Sequence, residues 1–187
     1  MKFIVVAGSN RKNATSTRLG EYVIQAIHGQ GHEASLFDLY QTPVPFYAAD
    51  EKLDDDLHLA DLKSRVLAAD AIILATPEYH GSISGVLKNA LDHLGQSYFS
   101  GKPVLSISSS GGAVGVSALL QLQAIVRNMH GINASEWISI GGAQRRRFEA
   151  TYDGYEEYEG SQDIEERIQL VLGSFLHLAE AITSARK

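Results

Sequence analysis

Three short stretches carry most of the side chains able to do chemistry. PEYHGS (77–82) sets a carboxylate, a phenol and an imidazole side by side in Glu78, Tyr79 and His80. GSNRKNATSTR (8–18) offers hydroxyls at Ser9, Thr15, Ser16 and Thr17 and a cation at Arg11. SSSGGAVG (108–115) brings Ser110, Gly111 and Gly112 in a glycine-rich turn. Glu78 and His80 invite an acid–base reading, yet residues two apart need not face each other. No GxSxG nucleophile elbow accompanies them. The histidines stand at 28, 32, 58, 80, 93, 130 and 177, with no HExxH or other metal-ligand spacing, so no metal is expected. There is no cysteine, which removes disulfides, thiolate ligands and cysteine nucleophiles together.

The elements that must position these stretches alternate along the chain. Apolar or mixed strand-like runs lie at 3–8, 34–39, 71–76, 102–110 and 134–140. Between them Leu19, Tyr22, Val23, Ala26 and Ile27 fit one helix face, and GQG (29–31) ends that helix. Further helices are expected over 53–69, 83–99, from about 115 to 129, and along Ile164–Ile182. A helix in every connection requires a parallel sheet. The bare apolar runs 3–8, 71–76 and 104–108 read as strands buried on both faces, the mixed ones as edges. The predicted fold is therefore α/β: a flavodoxin-like, doubly wound, five-stranded parallel sheet of order 2-1-3-4-5 with helices on both faces, in one domain over 1–187. The polar stretch 145–162 reads as a mobile loop.

In such a sheet ligands bind at the carboxyl ends of the strands, where the first and third diverge. The three stretches converge there. The first suits a phosphate: hydroxyls, Arg11 and a helix N-terminus near Ser16 favour an anion. Thr15 or Ser16 acting merely as an N-cap is the plainer alternative. Neither a Walker A motif nor GxGxxG is present. In the second stretch Pro77 stiffens the exit from the strand, Gly81 permits close backbone approach, and Tyr79 is placed to lie beside a flat ring. A phosphate pocket facing two backbone-rich loops suits a mononucleotide with a flat ring, and FMN is the natural candidate.

GSNRKNATSTR, PEYHGSISGVLKNALD and the SGG turn together resemble the NADPH-dependent FMN reductase family, with its flavin, azo-dye, quinone and chromate reductases. The resemblance spans residues 2–140. It implies non-covalent FMN, hydride transfer from NADPH or NADH, and a homodimer or homotetramer. By position, Ser9, Arg11, Ser16 and Thr17 would hold the FMN phosphate. Pro77, Glu78, Tyr79, His80, Gly81 and Ser82 would line the ribityl chain and ring, and Ser110, Gly111 and Gly112 would border the ring. The family often has Asn where His80 stands, so His80 is open as packing group, FMN contact or tuner of acceptor choice.

The expected activity is an FMN-dependent NAD(P)H oxidoreductase passing electrons to a small acceptor such as a flavin, quinone, azo compound or chromate. The chemistry would reside on the flavin, with no catalytic side chain. The alternative is a flavodoxin-type electron carrier without substrate turnover. With 187 residues, a net charge of −6 and no signal sequence or long apolar run, the chain is expected to be cytoplasmic, with no nucleic-acid or membrane partner. A receiver domain would need an aspartate after the third strand, where TPEY stands, and a small phosphatase would need a cysteine. Asp54, Asp55 and Asp56 lie at a helix start, where acidic residues suit the dipole. Arg145, Arg146 and Arg147 read as a solvated charge run, with contact to the extra phosphate of NADPH as the sharper alternative.

Overall fold

A computed structural model describes residues 1–51, 53, 55–149 and 161–186. In chain order the elements are β1 (Lys2–Ala7), α1 (Thr15–Gly29), β2 (Glu33–Asp38), α2 (Leu57–Ala68), β3 (Ala71–Pro77), α3 (Gly85–Asp92) and α4 (Gln96–Phe99). They continue as β4 (Pro103–Ser109), α5 (Val116–Asn128), β5 (Ile132–Asn133), β6 (Ile138–Ile140), a 3-10 helix (Gly142–Phe148) and α6 (Ser161–Ala185). The strands form one parallel sheet in the order β2-β1-β3-β4-β5, with β6 also on β4. The expected order holds because β1, β3 and β4 are almost wholly buried, while β2 is exposed or half-buried at every position but Phe37, as an edge strand is.

Alternate residues of each central strand serve opposite layers. Phe3, Val5, Ile73, Leu105 and Ile107 pack with Leu19, Val23 and Ile27 of α1 and Ile168, Val171 and Phe175 of α6. Ile4, Val6, Ile72, Leu74 and Val104 pack with Leu62, Val66, Leu87, Leu91, Leu122 and Val126 of α2, α3 and α5. By length and composition alone α6 is apolar enough to cross a membrane. Its stripe Ile164, Ile168, Val171, Leu172, Phe175 and Ala179 is instead buried against the sheet.

Several expectations are corrected. The fifth strand is two short pieces, because β4 is paired at Pro103–Val104 by β5 and at Ile107–Ser109 by β6, with 134–137 outside the strands. The helix expected over 83–99 breaks after Asp92, and Gly95 opens the short α4. The helix expected from 53 begins at Leu57, capped by Asp56, whose carboxylate accepts from the Leu59 N–H at 2.8 Å. Asp54 lies outside the described residues, as does 150–160 of the stretch expected to be a mobile loop. The start of that stretch, through Phe148, is 3-10 helix with Phe148 buried against the Tyr22 ring.

At the opposite end of the sheet from the converging loops, Lys102 closes α2. Its ammonium donates to the Val66 and Leu67 carbonyls at 2.7 and 2.8 Å, meeting the helix's negative end. Burial, and then the Arg186 charge, lower its pKa from 10.5 to about 8, against an upward pull from Asp70. With the folded pKa below the unfolded one, the unfolded chain binds more protons between about pH 8 and 10.5. Stability relative to Lys102→Met should therefore rise across that window and be flat below it. Paired urea melts at pH 7, 8.5 and 10 read this directly; a difference that fails to rise with pH contradicts it.

Candidate functional site

The register brings the carboxyl ends of three strands together: β3 and β4 end level at Pro77 and Ser109, and β1 ends two residues short of them, where Ala7 pairs Ala75. The chain leaving each end therefore meets its neighbours. They enclose a cleft lined by Arg11, Ala14 and Thr15 from the first loop and Pro77, Glu78 and Tyr79 from the second. Ser109, Ser110 and Gly111 come from the third, and Arg145 from beyond β6.

The first wall is the start of α1. Its N-cap is Ala14, with no side-chain capping bond, so neither Thr15 nor Ser16 fills the capping role. An alanine has no acceptor to offer the first-turn N–H groups. The Ser16 and Thr17 hydroxyls in that turn are buried and without a hydrogen-bond partner. Orphaned buried hydroxyls are costly, and beside uncapped N–H groups they mark a place for an anion. Ser9 is buried, and its hydroxyl accepts from the Arg11 N–H at 3.1 Å, bracing the turn that presents Arg11 to the cleft.

The second wall is a tight hairpin. Tyr79 and Ser82 exchange two backbone hydrogen bonds of 3.0 Å around His80 and Gly81. Both turn residues have positive φ, 52° and 72°, the pattern of a type I′ turn. Asn is enriched in that conformation, as His is to a lesser degree, which gives a backbone reason for the family's Asn at the His80 position. His80 is exposed and does not line the cleft. Gly81 and Ser82 turn toward α5, where the Ser82 hydroxyl donates to Gln121 Oε1 at 2.8 Å and Gln121 Nε2 donates to the Gly81 carbonyl at 3.1 Å.

Glu78 is no partner of His80. Its carboxylate accepts the Ala118 N–H of α5 at 2.9 Å, and its own N–H donates to the Ser109 carbonyl at 2.8 Å. Gly115 caps α5 without a side chain, so Glu78 supplies from another loop the acceptor and the negative charge that this helix end needs. The third wall is held likewise. The Ser108 hydroxyl donates to the Gly115 carbonyl at 2.8 Å, and the Ser110 hydroxyl accepts from the Gly112 N–H at 3.1 Å.

Of the residues singled out in the sequence, Arg11, Thr15, Pro77, Glu78, Tyr79, Ser110 and Gly111 line one cleft. Ser9, Ser16 and Thr17 lie buried behind it, and His80, Gly81, Ser82 and Gly112 do not line it. Sequence reasoning missed Arg145 as a cleft residue. The arginine run divides: Arg145 lines the cleft and pairs with Glu149 at 3.2 Å, and Arg146 is exposed. Arg147 pairs with Glu165 at 2.6 Å and lies over the Tyr22 ring. Also missed was Ser84, the N-cap of α3, whose hydroxyl donates to the Gly8 carbonyl. Its place before GVLKNAL is a readable capping position; its long-range partner is not.

Comparisons with known proteins bear on the family and, separately, on the fold. A family model described as NADPH-dependent FMN reductase matches residues 1–145. An FMN-dependent NADPH-azoreductase of Staphylococcus aureus is 41% identical over 136 residues, covering 71% of this chain and 72% of that protein. Among solved structures, the flavoenzyme NAD(P)H:(acceptor) oxidoreductase FerB of Paracoccus denitrificans superposes with a TM-score of 0.74 at 23% identity, covering 96% of this chain and 97% of the other. The NADH:FMN oxidoreductase EmoB gives 0.74 at 20% identity, covering 93% and 87%.

Glu78→Ala should cost about 1 kcal/mol of stability through loss of the α5 cap, whereas Glu78→Gln, which keeps an acceptor, should cost less. Urea denaturation of the two variants checks this ordering; equal losses would remove the capping role.

Proposed function

The chain belongs to the NADPH-dependent FMN reductase family, and from that premise we propose that the cleft holds FMN and that the protein oxidises NAD(P)H in favour of a small acceptor. The observation that carries this reading is the meeting of an uncapped α1 N-terminus, with its two orphaned hydroxyls, and two backbone-rich loops in one cleft. Phosphate fits the first feature and a flat ring the second.

When bound, FMN supplies the two-electron chemistry, taking hydride from the nicotinamide and passing electrons to the acceptor. The protein's part is placement. The α1 N–H groups, the Ser9, Thr15, Ser16 and Thr17 hydroxyls and Arg11 hold the phosphate. Pro77, Glu78 and Tyr79 would support the ribityl chain and ring, with His80 to Ser82 closing the hairpin that carries Tyr79, and Ser110 and Gly111 would border the ring. Tyr79, 36% exposed on the rigid hairpin, offers an aromatic wall at the mouth. No side chain is asked to move a proton. Glu78 is engaged with α5, and His80 acts through its turn conformation. Backbone N–H groups around the ring favour the negative charge that builds on reduction.

Azo compounds, quinones, flavins and chromate are the acceptor classes this open cleft suits, with NADPH as donor and NADH as the second choice. The electron-carrier alternative is weaker, because the kinship lies with reductases. We place the protein in the cytoplasm as a single domain over 1–187. Anaerobic addition of NADPH to the FMN-loaded protein should bleach the flavin absorption. Aerobic or anaerobic turnover should then reduce a quinone or azo dye. Bleaching without turnover would favour the carrier, and no bleaching would sink the reductase reading.

We also propose a homodimer or homotetramer. Phe46 is 89% exposed on a loop fastened to α3: Asn89 Nδ2 donates to the Pro45 carbonyl at 2.8 Å, and the Tyr47 N–H donates to Asn89 Oδ1 at 2.9 Å. Phe46 and the adjacent Tyr47, 48% exposed, together offer an apolar patch on an ordered loop that a second copy would cover. Phe46→Asp should shift the assembly toward the monomer in light scattering, and an unchanged mass would exclude Phe46 from the interface.

A further inference from the structure

Three charged side chains line the cleft, Arg11, Glu78 and Arg145, and their partners distinguish them. The Glu78 carboxylate is engaged with the positive end of α5. Arg11 belongs to the α1 end, where a phosphate would bring its own negative charge. Arg145 sits at the other end, against Gly111: a Cβ placed on Gly111 would lie 3.9 Å from Arg145 Nη1. Glu149 stands 3.2 Å from Arg145 Nη2. The Arg145 and Glu149 side chains are 29% and 38% exposed, so the pair is half-withdrawn from water rather than free on the surface.

Arg145 owes this place to a backbone clamp. The Gly142 N–H donates to the Gly112 carbonyl at 2.8 Å, and the Ser110 N–H donates to the Ile140 carbonyl at 2.9 Å. Gly141 lies so close to the Gly112 and Ala113 carbonyls that a Cβ would collide with both. The chain after β6 is thus pressed onto the third loop, and the 3-10 helix returns Arg145 to the cleft three residues later.

We infer that the Arg145–Glu149 pair sets the reduction potential of the flavin: Arg145 favours its reduced form, and Glu149 tempers that effect. The inference rests on the reading of this cleft as an FMN site. Hydride transfer breaks the C4–H bond of the reduced nicotinamide and delivers two electrons and one proton. The nicotinamide leaves oxidised, and the site gains one negative charge. A guanidinium in a partly dehydrated cleft stabilises that added charge and is indifferent to the neutral oxidised ring. A carboxylate beside it acts in the opposite sense. Arg11, matched to the phosphate, contributes to both redox states alike.

The test is a reductive titration of the FMN-loaded protein against a reference dye, with FMN affinity measured in the oxidised state. Arg145→Gln should lower the preference for reduced over oxidised FMN about tenfold, which is about 30 mV in the negative direction for a two-electron couple. Arg145→Lys should recover part of the shift. Glu149→Gln should move the potential the opposite way. Circular dichroism and a thermal melt confirm that each variant is folded, and Glu149→Gln, which keeps its shape, carries the test if Arg145→Gln does not fold. Potentials unchanged in the folded variants, or Arg145→Gln and Glu149→Gln shifting in the same direction, overturn the inference while leaving the FMN site intact. Failure of the wild-type protein to bind FMN would overturn the functional reading itself.

Discussion

The Ser84 hydroxyl joins the two loops on which the cleft depends. It donates to the Gly8 carbonyl in the loop after β1 and accepts the Leu87 N–H of α3 at 3.1 Å. Its own N–H donates to the Thr76 hydroxyl at 3.1 Å. One buried side chain therefore caps a helix, fixes the exit of β3 and draws the phosphate-suited loop against it. Buried hydroxyls with every bond made are stiff fasteners, because an alternative position leaves donors and acceptors unpaired in a dry interior.

Around that fastener the site is built by loans between elements. The acceptor for α5 comes from Glu78, the cation for the C-terminal end of α2 from Lys102, and the cleft cation from Arg145 beyond β6. The α5 N-terminus and the α2 C-terminus are thus completed by residues distant in sequence. The α1 N-terminus differs from them, with alanine at its cap and two hydroxyls unpartnered. A first turn with no side-chain cap and two buried, unpartnered hydroxyls beside a cleft is where an anionic ligand belongs.

The same logic separates what could be read from the sequence from what could not. β1, β3 and β4 were legible because burial on both faces forces unbroken apolar runs, and their parallel order brought the three loops together in advance. The break between α3 and α4 was hidden because Leu94 and Phe99 stay buried, extending the apolar stripe past the point where the backbone turns. The split edge strand was hidden because its pairing is decided on one side only, by β4. Within the site, residue types pointed to the loops, but partners did not. Nothing local links Glu78 to Ala118, forty positions away, or lifts Arg145 out of a run of three arginines. His80, left open between packing, flavin contact and acceptor choice, is placed by a left-handed turn that imidazole tolerates, which no neighbouring residue type announces.

The divided edge beside β4 has a further consequence. Because β5 and β6 pair with opposite ends of the same strand, with the Ala134 N–H still donating to the Val104 carbonyl at 2.8 Å and 135–137 between, the ladder on that side has two hydrogen-bonded blocks. Opening of the Ile132–Asn133 block therefore need not open the Ile138–Ile140 block. An interrupted edge also offers an incoming strand no continuous row of donors and acceptors, which closes this side of the molecule to growth by strand addition.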